Sequence, residues 1–241
     1  MSKVIVISQP MFFPWIGLFE QIKLSNIFVH YDDVQLPQGR SFTNRVQIKS
    51  KDGIIWLTVP LKRESGKGLI KEAQIASDLN WKDKHLKILA GNYAKAPFKN
   101  EMLDLVNDVY SNNFEKISDL NIYSLELICK YLGLWEGKDF YKSSDLGFQS
   151  VSSQKLLDTV RYFHGDVYVT GLGALNYIDY NLFEDSNIRI EYMDYQKLEY
   201  PQNFGDFTPY VSILDAIAYH GTNAQNYIQS KSKYWKEYIN G

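Results

Sequence analysis

The chain has 241 residues, enough for a core that buries about 70% of the unfolded surface without disulfide or metal staples. Its residues are 45% hydrophobic and 22% charged, which excludes disorder, collagen and coiled coil. Twenty-six basic against 28 acidic residues leave a net charge of −2, which excludes the broad basic footprint of a general nucleic-acid binder.

The first element is Val4–Ser8, a short β-branched run read as a buried strand. Gln9-Pro10 ends it, and Pro14 suits the start of a helix from Trp15 to about Leu24. Ile27–Tyr31 is a second strand, closed by Asp32 and Asp33. Val46–Ile48 and Ile54–Val59 flank Lys51-Asp52-Gly53, a hairpin turn in which Gly supplies the positive φ. Lys62–Lys71, with two glycines and five charges, reads as an exposed loop.

The middle of the chain is helical in pattern. Trp81–Tyr93, Lys99–Tyr110 and Phe114–Leu132 space their apolar residues by three and four, with Gly133 as a stop. Helix returns at Ser153–Phe163, with Ser152 as cap and Gly165 beyond its end. Val167–Thr170 and Ile188–Tyr192 are strands, and Val211–Tyr219 is a last helix. With no repeat, low-complexity tract or linker, residues 1–241 read as one α/β domain. The expected sheet is mixed or mostly parallel with flanking helices, and a helical insertion covers about residues 80–133.

One cysteine, Cys129, can form neither an internal disulfide nor a thiolate cage, and it falls on an apolar helical stripe that suits a buried, inert thiol. The opening residues do not resemble a signal peptide, and no apolar run reaches membrane-spanning length. A reducing, cytoplasmic setting is expected, with no membrane span. His30, His85, His164 and His220 are not spaced for zinc, so no metal site is expected. Walker A, G-x-S-x-G and G-x-G-x-x-G patterns are missing, which removes support for ATP hydrolysis, serine hydrolysis and Rossmann redox chemistry.

Ligands of α/β sheets bind beyond the carboxyl ends of the strands. Gln9 follows the first strand, Asp32 and Asp33 the second, and Thr170-Gly171 a later one, so parallel packing would gather them on one edge. Asp32-Asp33 admits three readings. It is a turn cap, a Mg²⁺ pair for a nucleotide diphosphate as in metal-dependent glycosyltransferases, or a general base with His30, which shares the face of Asp32 along a regular strand. Asn44-Arg45 opens the hairpin, where Arg45 is either a phosphate clamp or a surface cation. Lys62, Arg63, Lys67 and Lys71 are either a phosphate grip or a solvated charge run. The 18 Tyr, 13 Phe and 5 Trp suit sugar rings and bases, and equally an ordinary core.

The opening ISQPMFFPWIGLFEQIKLSNIFVHYDDVQLPQGRSFTNRVQI, then WLTVPL, Trp81–His85, Tyr93–Phe98, Ser143-Ser144, Tyr177–Asp179, Tyr200–Gln202 and Phe207 to Asp215, resembles the WbqC-like family of bacterial proteins over nearly the whole chain. Members occur among genes for O-antigen and other surface polysaccharides, often near amino-sugar aminotransferases. The resemblance carries over Gln9, Pro10, Asp32, Asp33, Asn44, Arg45, His85, Ser144, Gly171, Tyr177, Gln202 and Asp215. It implies an acyl- or aminoacyltransferase acting on the amine of a nucleotide-linked amino sugar. Asp32 or His85 is the expected base, with His30 as a further candidate, and Asn44 or Gln9 would donate to the oxyanion. Gln9, Pro10, Trp15, Asp33, Arg45, Ser144, Gly171, Tyr177 and Gln202 are expected on the substrate side. No tightly bound cofactor is expected; acyl-CoA or an acyl or aminoacyl carrier protein would be the donor. The rivals are a non-catalytic sugar-nucleotide or glycan-binding protein of the same pathway, and a glycosyltransferase using Asp32 and Asp33.

Overall fold

A computed structural model describes residues 2–39, 41–63, 68–76 and 80–239. In chain order the strands are β1 (Val4–Ser8), β2 (Ile27–His30), β3 (Arg45–Ser50), β4 (Gly53–Thr58), β5 (Asp139–Lys142), β6 (Val167–Thr170), β7 (Arg189–Met193) and β8 (Ser232–Tyr234). The helices are α1 (Ile16–Leu24), α2 (Trp81–Asn92), α3 (Lys99–Ser111), α4 (Ile117–Tyr131), α5 (Ser152–Tyr162), α6 (Tyr180–Glu184), α7 (Ile213–His220) and α8 (Trp235–Ile239). Six strands form one sheet in the order β5-β2-β1-β6-β7-β8. Every pairing in it is parallel except β7 with β8. The fold is therefore α/β with a mostly parallel mixed sheet, while β3 and β4 form a separate antiparallel hairpin.

The run Val4–Ile7 of β1 is apolar throughout because both faces of the strand are covered. Alternate residues feed two cores. Val6 joins Phe28 and Val169 against α1, α3, α4 and α7. Ile5 and Ile7 join Val29, Tyr168 and Ile190 against Leu156 and Val160 of α5 and Phe183 of α6. Helix α1 is buried from Ile16 to Ile22, since it lies inside the first of these cores.

Most expected elements are present, with bounds moved by one to three residues. The second strand ends at His30 and α1 begins at Ile16, because Trp15 is extended and bridges to Ser212. Gly53 takes φ 101° in the hairpin turn, the conformation its lack of a Cβ allows. Ser152 is not the cap of α5: it is the first helical residue, Val151 precedes it, and no side chain caps that end. The stretch 62–71 is not wholly an exposed loop. Ile70 is fully buried, and its N–H donates to the Val34 carbonyl at 2.9 Å. Lys67 lies outside the described residues. Among the described residues, no helix is long and apolar enough to cross a membrane.

Candidate functional site

The sheet order fixes where a ligand can sit. From β1 the chain crosses to β2 on one side, whereas β6 pairs on the other. The carboxyl ends of β1 and β6 therefore diverge at a topological switch point, the usual mouth of an open α/β sheet. A cavity of about 730 Å³ occupies that position. Ile7, Ser8, Gln9 and Met11 line it from β1 and its exit, and Tyr168, Thr170 and Gly171 to Ala174 from β6. Tyr31 follows β2; Met193, Asp194, Tyr195 and Lys197 follow β7; Trp15, Gln21, Leu156, Tyr177, Tyr210 and Tyr238 complete the walls together with Pro37.

The loop between β1 and α1 is braced rather than free. Phe13 has φ 38°, uncommon for a bulky residue, and its carbonyl accepts from the Ser212 hydroxyl at 2.7 Å. Ile213 N–H then donates to the Pro14 carbonyl at 2.9 Å. These bonds from the start of α7 swing Trp15 into the cavity wall. Its indole lies edge-on to Tyr195 and Tyr210, with ring centres 4.9 and 5.7 Å away. Gly17 makes that placement sterically allowed, because a Cβ built there would lie 1.8 Å from Cζ3 of Trp15.

Some polar groups of this cavity remain open. Among the described residues, the amides of Gln9 and Gln21 and the hydroxyl of Tyr177 have no hydrogen-bond partner. Burial, then the nearby Asp33 carboxylate, holds the Tyr31 phenol above its usual range, and burial does the same for Tyr177. Both therefore stay protonated donors at neutral pH. Among the described residues, two charged side chains line the cavity, Asp194 and Lys197. The Lys233 ammonium, 3.1 Å from Asp194, holds that carboxyl below the usual range. Lys197 has φ 49°, and its ammonium stands 5.7 Å from the Tyr210 ring centre.

Beneath the β7 wall lies Glu20 of α1, fully buried. Its Oε1 accepts from Gln229 N–H at 3.2 Å. Burial pushes its carboxyl up to about 7, partly offset by the backbone N–H groups of Gln196 and Gln229.

Five residues expected from the sequence line this cavity together: Gln9, Trp15, Thr170, Gly171 and Tyr177. Asp33 stands behind it, where its carboxylate meets Lys155 at 2.6 Å and Lys155 lies 5.5 Å from the Tyr31 ring centre. The other expected residues are engaged elsewhere. Asp32 accepts from Ser144 N–H at 3.0 Å and from its hydroxyl at 2.7 Å, so the two neighbouring aspartates face different partners. His30 does not pair with Asp32, because the strand stops at His30 and Nε2 instead meets Glu126 at 3.3 Å. The Asn44 amide donates to the Val59 carbonyl at 3.0 Å. Arg45 donates to the Gly39 carbonyl and covers the Trp56 ring at 4.6 Å.

His85 is buried against Phe12 and Trp81 and shares a 2.9 Å hydrogen bond with the Tyr110 hydroxyl. Burial pulls its imidazole down to about 4. Pro10 is buried, its carbonyl accepting from Asn121. Gln202 closes its own loop through both atoms of Thr208's backbone. Asp215 accepts from the Tyr93 hydroxyl at 2.9 Å, and burial lifts its carboxyl to about 6. Among the described residues, no three His, Cys, Asp or Glu side chains converge as metal ligands. Cys129 is buried, and burial raises its thiol far above the range in which it ionises.

Gln21, Tyr31, Asp194, Tyr195, Lys197 and Tyr210 were not singled out from the sequence. The signal for three of them was available: Ile188–Tyr192 reads as a strand, so Asp194, Tyr195 and Lys197 sit just past its carboxyl end, as Gln9 does for β1.

A second concavity of about 770 Å³ contains no residue of the six-stranded sheet. Its lysines are already committed: Lys62 donates to Gln74, and Lys82 to the carbonyls of Tyr110 and Asn112.

A model of the WbqC-like protein family matches residues 9–227. The chain is 30% identical to an uncharacterized protein of Mycobacterium tuberculosis over 229 residues, covering 94% of this chain and 98% of that one. No solved structure matches.

Proposed function

The chain belongs to the WbqC-like family, and from that premise we propose that it binds a nucleotide-linked amino sugar at the β1–β6 switch point and acylates or aminoacylates its amine. The cavity carries this reading. Its aromatic walls, its unengaged amides and, among the described residues, its single pair of opposite charges suit a ligand with flat, hydroxylated and ionic parts. The pathway is that of O-antigen or other surface polysaccharides, as the family resemblance implies.

In this reaction the sugar amine attacks a thioester carbonyl. The N–C bond forms, the C–S bond breaks, and the amine proton ends on the departing thiol. Tyr177, whose hydroxyl has no hydrogen-bond partner among the described residues, would hold and orient the amine. The Gln9 and Gln21 amides would donate to the developing oxyanion, a role worth about 3–4 kcal/mol when donors are preorganised. Acyl-CoA or an acyl or aminoacyl carrier protein would deliver the thioester. His85 is a poor base for this step, since burial lowers its imidazole to about 4 and so makes it a weak proton acceptor, and its ring is bonded to Tyr110.

The test is thermal stabilisation against UDP, dTDP, GDP, amino-sugar nucleotides, CoA and acetyl-CoA, with and without EDTA. Binders are then assayed by mass spectrometry for a new amide. A ligand at 100 times its dissociation constant adds about 2.7 kcal/mol. A shift with an amino-sugar nucleotide that survives EDTA, followed by amide formation, is the expected result. A shift without turnover favours the non-catalytic receptor, a reading supported by the structural bonds that occupy Asp32, His30, His85 and Asn44. A shift that requires metal favours glycosyl transfer.

A further inference from the structure

The two ends of the cavity differ in kind. At the β1–β6 end stand open amides and phenols: Gln9, Gln21, Tyr31 and Tyr177. At the β7 end Trp15 packs edge-on to Tyr195 and Tyr210, which tilt against each other, with ring centres 4.9 to 6.2 Å apart. Lys197 stands at the margin of that group. Hydroxyl-rich ligand parts need donors and acceptors, whereas a planar base needs ring faces and its phosphates a cation.

We infer that the cavity binds its ligand in one direction, with the nucleobase on the Trp15–Tyr195–Tyr210 wall, the phosphates at Lys197, and the sugar at Gln9, Gln21 and Tyr177. This rests on the sugar-nucleotide reading and adds to it the residues that recognise the nucleotide half. Three features support the assignment. Tyr210 is 43% exposed although it lines a cavity, so ring surface is left uncovered there. Among the described residues, Lys197 is the one cation of the lining, and it holds a left-handed backbone, a conformation that costs a non-glycine residue stability. Trp15 owes its position to Phe13, Ser212 and the missing Cβ of Gly17, so its ring is set before any ligand arrives.

The experiment is calorimetric titration of wild type, Trp15→Leu, Trp15→Phe and Lys197→Gln. The probes are UDP, dTDP, GDP, the matching nucleosides, free glucosamine and galactosamine, and the amino-sugar nucleotide that stabilises the protein most. The expected result is that a nucleoside diphosphate binds alone, that Trp15→Leu weakens it at least tenfold, and that Trp15→Phe retains most of the affinity. Lys197→Gln should weaken the diphosphate about tenfold and leave the nucleoside unchanged. If the sugar nucleotide binds every variant like wild type, or the free sugar binds and the diphosphate does not, the orientation is wrong while the functional reading stands. If no sugar nucleotide and no diphosphate binds the wild type, both fall. Melting curves of each variant confirm that the titrated protein is folded.

Discussion

Two polar regions of this protein are built from the same residue types and put to opposite use. In the loops after β2 and around the hairpin, Asp32 holds Ser144, Asn44 holds Val59, and Asn121 holds Thr43 and Pro10. At the switch point, Gln9, Gln21 and Tyr177 hold nothing among the described residues. A buried polar group without a partner costs about 1–3 kcal/mol. The first set is satisfied inside the protein, where it fastens loops, whereas Gln9, Gln21 and the exposed Tyr177 are left to solvent or to a ligand. Chemical type alone does not separate a clamp from a recognition group; the bonding around it does.

The largest expected effect lies on the clamp side. Asp32→Ala removes two hydrogen bonds to a charged acceptor and strands the Ser144 donors, so it should cost about 2–4 kcal/mol in urea unfolding. Ligand affinity of the folded fraction should stay within about twofold of wild type, since Asp32 is not among the cavity-lining residues. Unchanged stability with lost affinity would place Asp32 in recognition and break the comparison.

Glu20 tests the border between the two regions. Its carboxyl titrates near 4.5 when unfolded and about 7 when folded, so the folded state binds more protons between those values. Its contribution is present below pH 4.5 and lost as pH rises through 7, at about 1.4 kcal/mol per pH unit. Glu20→Gln should therefore gain on wild type by about 3 kcal/mol between pH 4.5 and 8. A pH-independent difference in melting would show that Glu20 is not protonated beneath the β7 wall.

The smallest effect on stability, and the sharpest on binding, belongs to Gly17→Ala. A helix gains about 1 kcal/mol from Ala over Gly, which offsets the displacement of the Trp15 ring. Stability should stay within about 1 kcal/mol of wild type, while affinity for the nucleoside diphosphate falls at least fivefold. Retained affinity would mean that the indole wall tolerates being moved.

The strands with continuous β-branched runs, β1 and β6, were legible because burial on both faces leaves an unbroken apolar signature. Strand β5 was not. Its DFYK is short, lies at the sheet edge and is only partly buried, so neither composition nor alternation marks it. Strand β8 and helix α8 escaped for the same reason: three and five residues respectively carry too little periodicity to read. At the site, the rule about carboxyl ends of strands pointed to Gln9 and Gly171, but acidic and basic residues in the opening motif drew attention to Asp32, Arg45 and His85. What ties each of these down lies at a different distance along the chain: Gly39 for Arg45, Tyr110 for His85 and, 112 positions on, Ser144 for Asp32. No local pattern encodes such a pairing.

The central strand also dictates an order of assembly. Residues of β1 find those of β2 across one short helix, as Ile5 with Ile27. The other edge of β1 waits for a partner far along the chain, as Val4 with Val167. Closing so long a loop is entropically dearer and slower than closing a short one. The β1–α1–β2 unit can thus form early, whereas the cleft between β1 and β6 comes into being only when distant parts of the polypeptide meet. Ligand binding to this chain is accordingly a readout of completed folding, and a variant that stalls with only its first half assembled would be silent to every small molecule that the finished protein holds.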